Sequence, residues 1–114
     1  MADKVTPMIF ETEDGKEYTL EFSRKTVEWA EQHGFDMDDL TSQMMTKVPE
    51  LFYYAFRMHH PNMTKQQTDK ILFEEFDGLS PDELTWLGNL YAEPFNALIN
   101  RDESKNLRKV KIRQ

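Results

Sequence analysis

The chain of 114 residues contains no cysteine, which excludes disulfide bridges and thiolate metal sites and is consistent with a reducing compartment. It has only four glycines, and none of the glycine-rich motifs for phosphate binding or the G-x-S-x-G nucleophile turn occurs. No apolar stretch approaches the ~20 residues that a membrane-spanning helix requires. The first residues, MADKVTP, lack the apolar segment of a signal peptide. We therefore expect a soluble intracellular protein.

Positive charge is scarce until the last part of the chain. Residues 1–100 hold 8 basic and 19 acidic residues, a net charge of −11, whereas residues 101–114 hold 6 basic and 2 acidic residues, a net charge of +4. Phosphate binding requires clustered Lys and Arg, so the acidic body disfavours nucleic acid as a partner. We interpret residues 101–114 as a basic, flexible C-terminal tail, with an arm for an acidic partner as the alternative.

The hydrophobic content of 39%, with 12% aromatic residues, indicates a globular chain. Its first predicted element is a β-hairpin at residues 8–22. Tyr18 and Leu20 alternate with polar residues, as in a half-buried strand. The turn Glu13-Asp14-Gly15-Lys16 places Asp-Gly between two apolar runs, where glycine supplies the positive φ that the turn needs. Because a lone hairpin is marginal in water, it must pack on helices or extend a partner's sheet.

The hairpin is followed by a helix with clear end signals. Ser23 is the expected N-cap, the helix runs to His33, and Gly34 fits the left-handed position after its end. Residues 35–46 have no clear period, although Asp36 is a candidate cap for a short turn.

The segment Val48–His60 (VPELFYYAFRMHH) is predicted to be a helix that is apolar on nearly every side. Pro49 fits its first turn, and Pro61 ends it. One stripe at helical spacing is expected to face the core: Val48, Leu51, Phe52, Ala55 and Phe56.

Two further helices are predicted. Thr64 and Gln67 form a capping box for a helix that stops at Gly78, and Ser80-Pro81-Asp82-Glu83 is a second capping box. Pro94 is expected to kink or restart the last helix. The core face of that helix is predicted to comprise Leu84, Leu87, Tyr91, Phe95 and Leu98.

These elements predict an α+β fold that is mostly α, with an N-terminal hairpin followed by about four helices packed as a small bundle. A single α-rich domain is expected over residues 1–100, with the hairpin at 8–22. The basic tail at 101–114 follows it.

No set of residues predicts catalysis or a cofactor. His59 and His60 are adjacent, whereas helical metal ligands usually stand four residues apart on one face. We expect these histidines to close a helix end, where a cation meets the negative end of the helix dipole. The sequence around Asp36 lacks the glycine and glutamate that a calcium-binding EF-hand loop needs, and the other carboxylates fall in turns or on polar faces. We expect a protein that is not an enzyme and has no metal site.

Some large apolar side chains fall outside the core stripes. Tyr, Trp and Met are enriched at protein interfaces, and seven Met are present. We predict a surface for a partner or for self-association, with deeper core packing as the alternative. Its candidate residues are Tyr53, Tyr54, Met58, Trp86 and Leu90.

Three blocks of the sequence carry a family resemblance: FETEDGKEYTLEFSRKTVEWAEQHGFD (10–36), LFYYAFRMHHPNMT (51–64) and GLSPDELTWLGNLYAEPFNALI (78–99). In this order they resemble the tail assembly chaperones of tailed phages and prophages of Gram-positive bacteria, the type with long non-contractile tails. The resemblance covers about residues 8–100. No individual functional residue is carried over from the family.

The resemblance implies a mostly helical protein that acts in the cytoplasm of the bacterial host. It would bind the tape-measure protein, help to recruit tail-tube subunits, use no cofactor and be absent from the mature virion. In this family a longer, frameshifted form often accompanies the short one. Two alternatives remain open: a structural virion component of the tail or connector, and a nucleic-acid regulator that uses the basic tail.

Overall fold

The chain folds into an antiparallel hairpin followed by four helices, which confirms the predicted α+β, mostly α architecture. The structure is a computed structural model that describes residues 4–99, apart from the side chains at positions 97 and 99. The predicted basic tail at 101–114 lies outside the described residues. No helix in the described range is both long and apolar enough to cross a membrane.

The elements follow one another closely along the chain. The strands are β1 (Met8–Glu11) and β2 (Glu17–Leu20), and the helices are α1 (Arg24–Gln32), α2 (Met44–Phe56), α3 (Lys65–Lys70) and α4 (Pro81–Ile99). A 3₁₀ turn (Met37–Asp39) separates α1 from α2. A π-helical turn (Ile71–Glu75) continues α3.

The hairpin has the predicted turn and packs on the helices. Gly15 has a φ of 85°, and the Thr12 N–H donates to the Lys16 carbonyl at 2.9 Å to close the turn. β1 pairs with β2 in antiparallel register, with Phe10 opposite Tyr18. Beyond β2, the Glu21 N–H donates to the Ala55 carbonyl of α2 at 3.1 Å. The end of α2 therefore lies along the edge of β2 and joins the hairpin to the helices.

The predicted helix caps are confirmed. The side chains of Ser23 and Thr64 each accept a hydrogen bond from the backbone N–H three residues ahead. In return, the side chain of that later residue accepts from the backbone N–H of the capping residue. At the start of α4, the Glu83 N–H donates to Ser80 Oγ at 3.1 Å and the Ser80 N–H donates to Glu83 Oε1 at 2.8 Å. Asp36 caps the 3₁₀ turn, where its carboxylate accepts from the Asp38 N–H.

Helix α2 is the centre of the core rather than its boundary. It contacts α1, α3, α4, β2 and the 3₁₀ turn. Its buried residues lie on most of its circumference: Pro49, Leu51, Phe52, Tyr54, Ala55 and Phe56. The Phe52 ring lies 5.1 Å from that of Phe56 and 5.6 Å from that of Phe76. Residues 44–46 at its start are exposed and Tyr53 is half-buried, so the core covers most of this helix but not all of it.

Both Pro49 and Pro94 lie inside continuous helices. α2 begins at Met44, so Pro49 lies inside the helix and not in its first turn. α4 runs as one helix through Pro94, so the alternative of a restarted helix is wrong. α2 also ends at Phe56, earlier than predicted. Residues 57–59, predicted to be helical, form a turn before Pro61.

Candidate protein-binding surface

Two of the five predicted surface residues are buried. Tyr54 packs edge-on against the rings of Trp29 and Phe35, with centroids 5.5 Å and 5.4 Å away. Burial raises the pKa of the Tyr54 phenol, with a smaller contribution from Glu50. Leu90 is also buried in the core. For these two residues the alternative of deeper core packing applies, because Trp29 and Phe35 cover Tyr54 on α2 and Leu90 on α4 belongs to the same buried cluster.

The other three predicted residues are less buried. Tyr53 is half-buried, with its ring 6.4 Å from that of Trp29. Trp86 is half-buried on α4, and its indole N–H donates to the Thr6 carbonyl at 2.7 Å. Met58 is 40% exposed, in the turn after α2. Tyr53 and Trp86 thus have packing roles, and only Met58 is freely exposed.

The exposed apolar residues that lie together are different ones. Met45 is 89% exposed, Phe73 is 55% exposed and Met44 is 48% exposed. All three line one groove of about 200 Å³ between the start of α2 and the π-helical turn. Its other lining residues are Val48, Pro49, Leu72, Gly78 and Leu79. We call this apolar site the methionine groove.

The π-helical turn explains why Phe73 points outward. The Phe76 N–H donates to the Ile71 carbonyl at 3.0 Å, five residues back, so the turn is wider than in an α-helix. Ile71 and Leu72 are buried and Phe76 is half-buried, whereas Phe73 lies between them on the open side. The turn ends with Asp77 and Gly78, both at positive φ. Wide turns of this kind are frequent at functional sites.

Pro49 shapes the opposite wall of the groove. It has no N–H, so the carbonyl of Met45 receives no hydrogen bond from the residue four ahead. Gln43, at the N-cap, makes no side-chain capping bond. The first turn of α2 therefore carries its two methionines on a part of the helix with few internal restraints.

The sequence contained a weak signal for this groove. Met44 and Met45 fall in the segment without clear period, and Phe73 stands beside three apolar neighbours in a helix predicted as regular. Two adjacent methionines just before a proline are the one feature that could have indicated an exposed apolar turn.

A second, larger groove lies between α1 and α4. Its larger part has a volume of about 700 Å³, with Phe35, Tyr91 and Phe95 among its lining residues. An adjoining part of about 370 Å³ lies near the end of α4, beside Val27 and Leu98. The charged lining residues are Arg24, Glu28, Glu31, Asp36 and Asp38. Burial, then the nearby Glu31 and Asp36 carboxylates, raise the pKa of Tyr91 to about 12. We call this site the α1–α4 groove.

The two adjacent histidines make separate contacts. The His59 Nε2 lies 2.8 Å from Glu21 Oε1, and the His60 Nε2 accepts from the Thr19 N–H at 3.0 Å. Both therefore link the end of α2 to the hairpin. Within residues 4–99, no group of three or more His, Asp or Glu side chains is placed to hold a metal ion.

The comparisons with known proteins identify a family. Residues 1–113 match the family described as a domain of unknown function, DUF5055. Neither the curated proteins nor the solved structures give a match. Because the match spans nearly the whole sequence, the chain belongs to the DUF5055 family.

Proposed function

We propose that this protein is a non-enzymatic, protein-binding domain that covers an apolar segment of a partner through the methionine groove. The carrying observation is the joint exposure of Met44, Met45 and Phe73 around one groove. Apolar residues that share a concave site favour a partner, whereas scattered ones do not. Methionine adapts its shape to irregular apolar surfaces, as a chaperone site needs.

The partner that we propose is an apolar helical stretch of a phage tape-measure protein, which makes this chain a tail assembly chaperone of the bacterial cytoplasm. This step rests on the resemblance of residues 8–100. Covering Met45 contributes about 1.5–3 kcal/mol, and covering Phe73, which is already partly buried, contributes about half as much. The entropy lost on association reduces this gain. Recruitment of tail-tube subunits belongs to the same proposal.

Co-expression tests this function. A tape-measure protein from a phage or prophage of the type that the resemblance names is produced alone, with the wild-type chain, and with the double variant Met45→Ser/Phe73→Ser. We expect soluble tape-measure protein only with the wild-type chain. Met58→Ser is the matched control, because Met58 is an exposed methionine outside the groove. Insoluble tape-measure protein in every case would refute the chaperone role, and equal rescue by the double variant would refute the groove.

The hairpin supports one second candidate, a structural component of the virion. Ile9 is 56% exposed on β1, and among the described residues the sheet has only two strands. A strand at such an edge can pair with a neighbouring subunit. Mass spectrometry of purified particles separates the candidates, because a virion component is abundant there and an assembly chaperone is absent.

A further inference from the structure

The α1–α4 groove combines an apolar floor with an acidic rim. Phe35 and Tyr91 are buried beneath it, and Phe95 is half-buried. Four carboxylates and one guanidinium line the groove, a net charge of −3. In the described part of the chain, Glu28, Glu31, Asp36 and Asp38 form no ion pair. The groove thus fits a segment with both positive charge and apolar side chains.

The sequence that follows α4 has this chemistry. Between Lys105 and Arg113, five basic residues and no acidic residue are present: Lys105, Arg108, Lys109, Lys111 and Arg113. Val110 and Ile112 alternate with Lys109, Lys111 and Arg113, so in an extended segment the apolar and basic side chains point to opposite sides. One side suits the floor of the groove and the other its acidic rim.

The connection is long enough for this segment to reach the groove. The part of α4 that borders it, from Gly88 to Leu98, is about 15 Å long at the helical rise of about 1.5 Å per residue. Seven connecting residues, 100–106, span up to about 25 Å when extended. The seven residues 107–113 in extended form then cover about 23 Å, enough to run along the whole of this stretch of α4.

We propose that residues 107–113 of the same chain dock in the α1–α4 groove, antiparallel to α4, and cover it. The basic segment thereby neutralises the acidic rim, and its apolar residues cover Tyr91 and Phe95. This inference is independent of the methionine groove and of the proposed chaperone role.

A spin label at the end of the segment tests the proposal in the full chain. Because the sequence has no cysteine, Gln114→Cys gives one attachment site. The spin label broadens the NMR signals of nearby amides. This signal loss is measured at Gly34, Asp38 and Gly88, which line the larger part of the groove, and is compared with that at Gly15 in the hairpin turn. At low salt we expect severalfold greater loss at the groove amides. At about 0.5 M salt the loss should approach that at Gly15, because exposed charges are then screened.

Charge reversal supplies the matched control. The double variant Glu28→Lys/Glu31→Lys should abolish the excess loss, whereas Glu17→Lys/Glu74→Lys, at exposed glutamates outside the groove, should retain it. Adding Lys109→Glu/Lys111→Glu to Glu28→Lys/Glu31→Lys (the groove variant) should restore the excess signal loss at the groove amides, because opposite charges then face each other again.

Two results would overturn the proposal. One is equal signal loss in the groove variant and the wild-type chain. The other is signal loss carried between molecules in a mixture of labelled and unlabelled chains, which would assign the groove to a second copy.

Discussion

The Nε2 atom of His60 accepts a hydrogen bond from the backbone N–H of Thr19 at 3.0 Å. This N–H points away from β1. The Thr12 N–H bonds to the Lys16 carbonyl, and bonded and non-bonded pairs alternate along the hairpin, so Ile9 and Thr19 form a non-bonded pair. A side chain from the segment after α2 thus satisfies the edge of β2, and the proton of the neutral ring lies on Nδ1. Protonation of Nε2 would remove the acceptor.

The stability of the fold is expected to depend on this contact. Burial, and secondarily His59, lower the pKa of His60 below its ordinary value of 6.5. The folded chain then binds this proton more weakly than the unfolded chain does. The contribution of neutral His60 is therefore fully present above pH 6.5 and is lost as the pH falls through the lowered pKa. Urea unfolding at a series of pH values measures this loss.

The variant His60→Gln should show a smaller loss of stability between neutral and acidic pH than the wild-type chain. His33→Gln is the control, because His33 is exposed and contacts only its own helix, at the Trp29 carbonyl and ring. An unchanged pH dependence in His60→Gln would contradict the role of this bond.

The burial of Leu90 predicts a large effect on stability. Leu90→Ala should lower the free energy of unfolding by about 2–5 kcal/mol, since it leaves a cavity in the core. Met58→Ala should change it by no more than about 0.5 kcal/mol, since its side chain is exposed. Chemical denaturation measures both, and a Leu90→Ala chain as stable as Met58→Ala would show that Leu90 is not a core residue.

The cap at the start of α4 predicts a moderate effect. Ser80→Ala removes the acceptor for the Glu83 N–H and should lower the free energy of unfolding by about 1 kcal/mol. Ser42→Ala serves as the control, because this exposed serine caps no helix and donates only to the Asp39 carbonyl. Thermal or urea unfolding checks the difference, and equal stability of the two variants would contradict the cap.

The position of Pro49 predicts uneven amide exchange along α2. The amides of Lys47 and Val48 should exchange much faster than those of Tyr54 and Ala55, because the first turn is exposed and has few buried contacts. Pro49→Ala supplies an N–H for the Met45 carbonyl and should slow exchange in this turn. Hydrogen exchange measured by NMR tests both statements. Equally slow exchange at Lys47 and Tyr54 in the wild-type chain would contradict them.

Local features of the fold could be predicted from the sequence. The caps at Ser23, Thr64 and Ser80 and the turn at Gly15 depend on residues three or four positions apart, so the sequence contains the whole interaction. The hairpin register follows from the same turn.

The candidate surface could not be predicted in the same way. Whether Tyr54 or Leu90 is exposed depends on which helices cover α2, and this depends on contacts between distant residues. The exposure of Phe73 depends on a π-helical turn that a regular helical period does not indicate. Met44 and Met45 are exposed because α2 begins before Pro49, although the proline suggested a later start.

Calorimetric titration of the purified chain with an apolar helical segment of a tape-measure protein measures whether the methionine groove binds the partner. We expect Met45→Ser/Phe73→Ser to raise the dissociation constant at least about tenfold, because less apolar area is buried on binding. Met58→Ser should leave it unchanged. Equal affinities for the wild-type chain and the double variant would contradict binding through this groove.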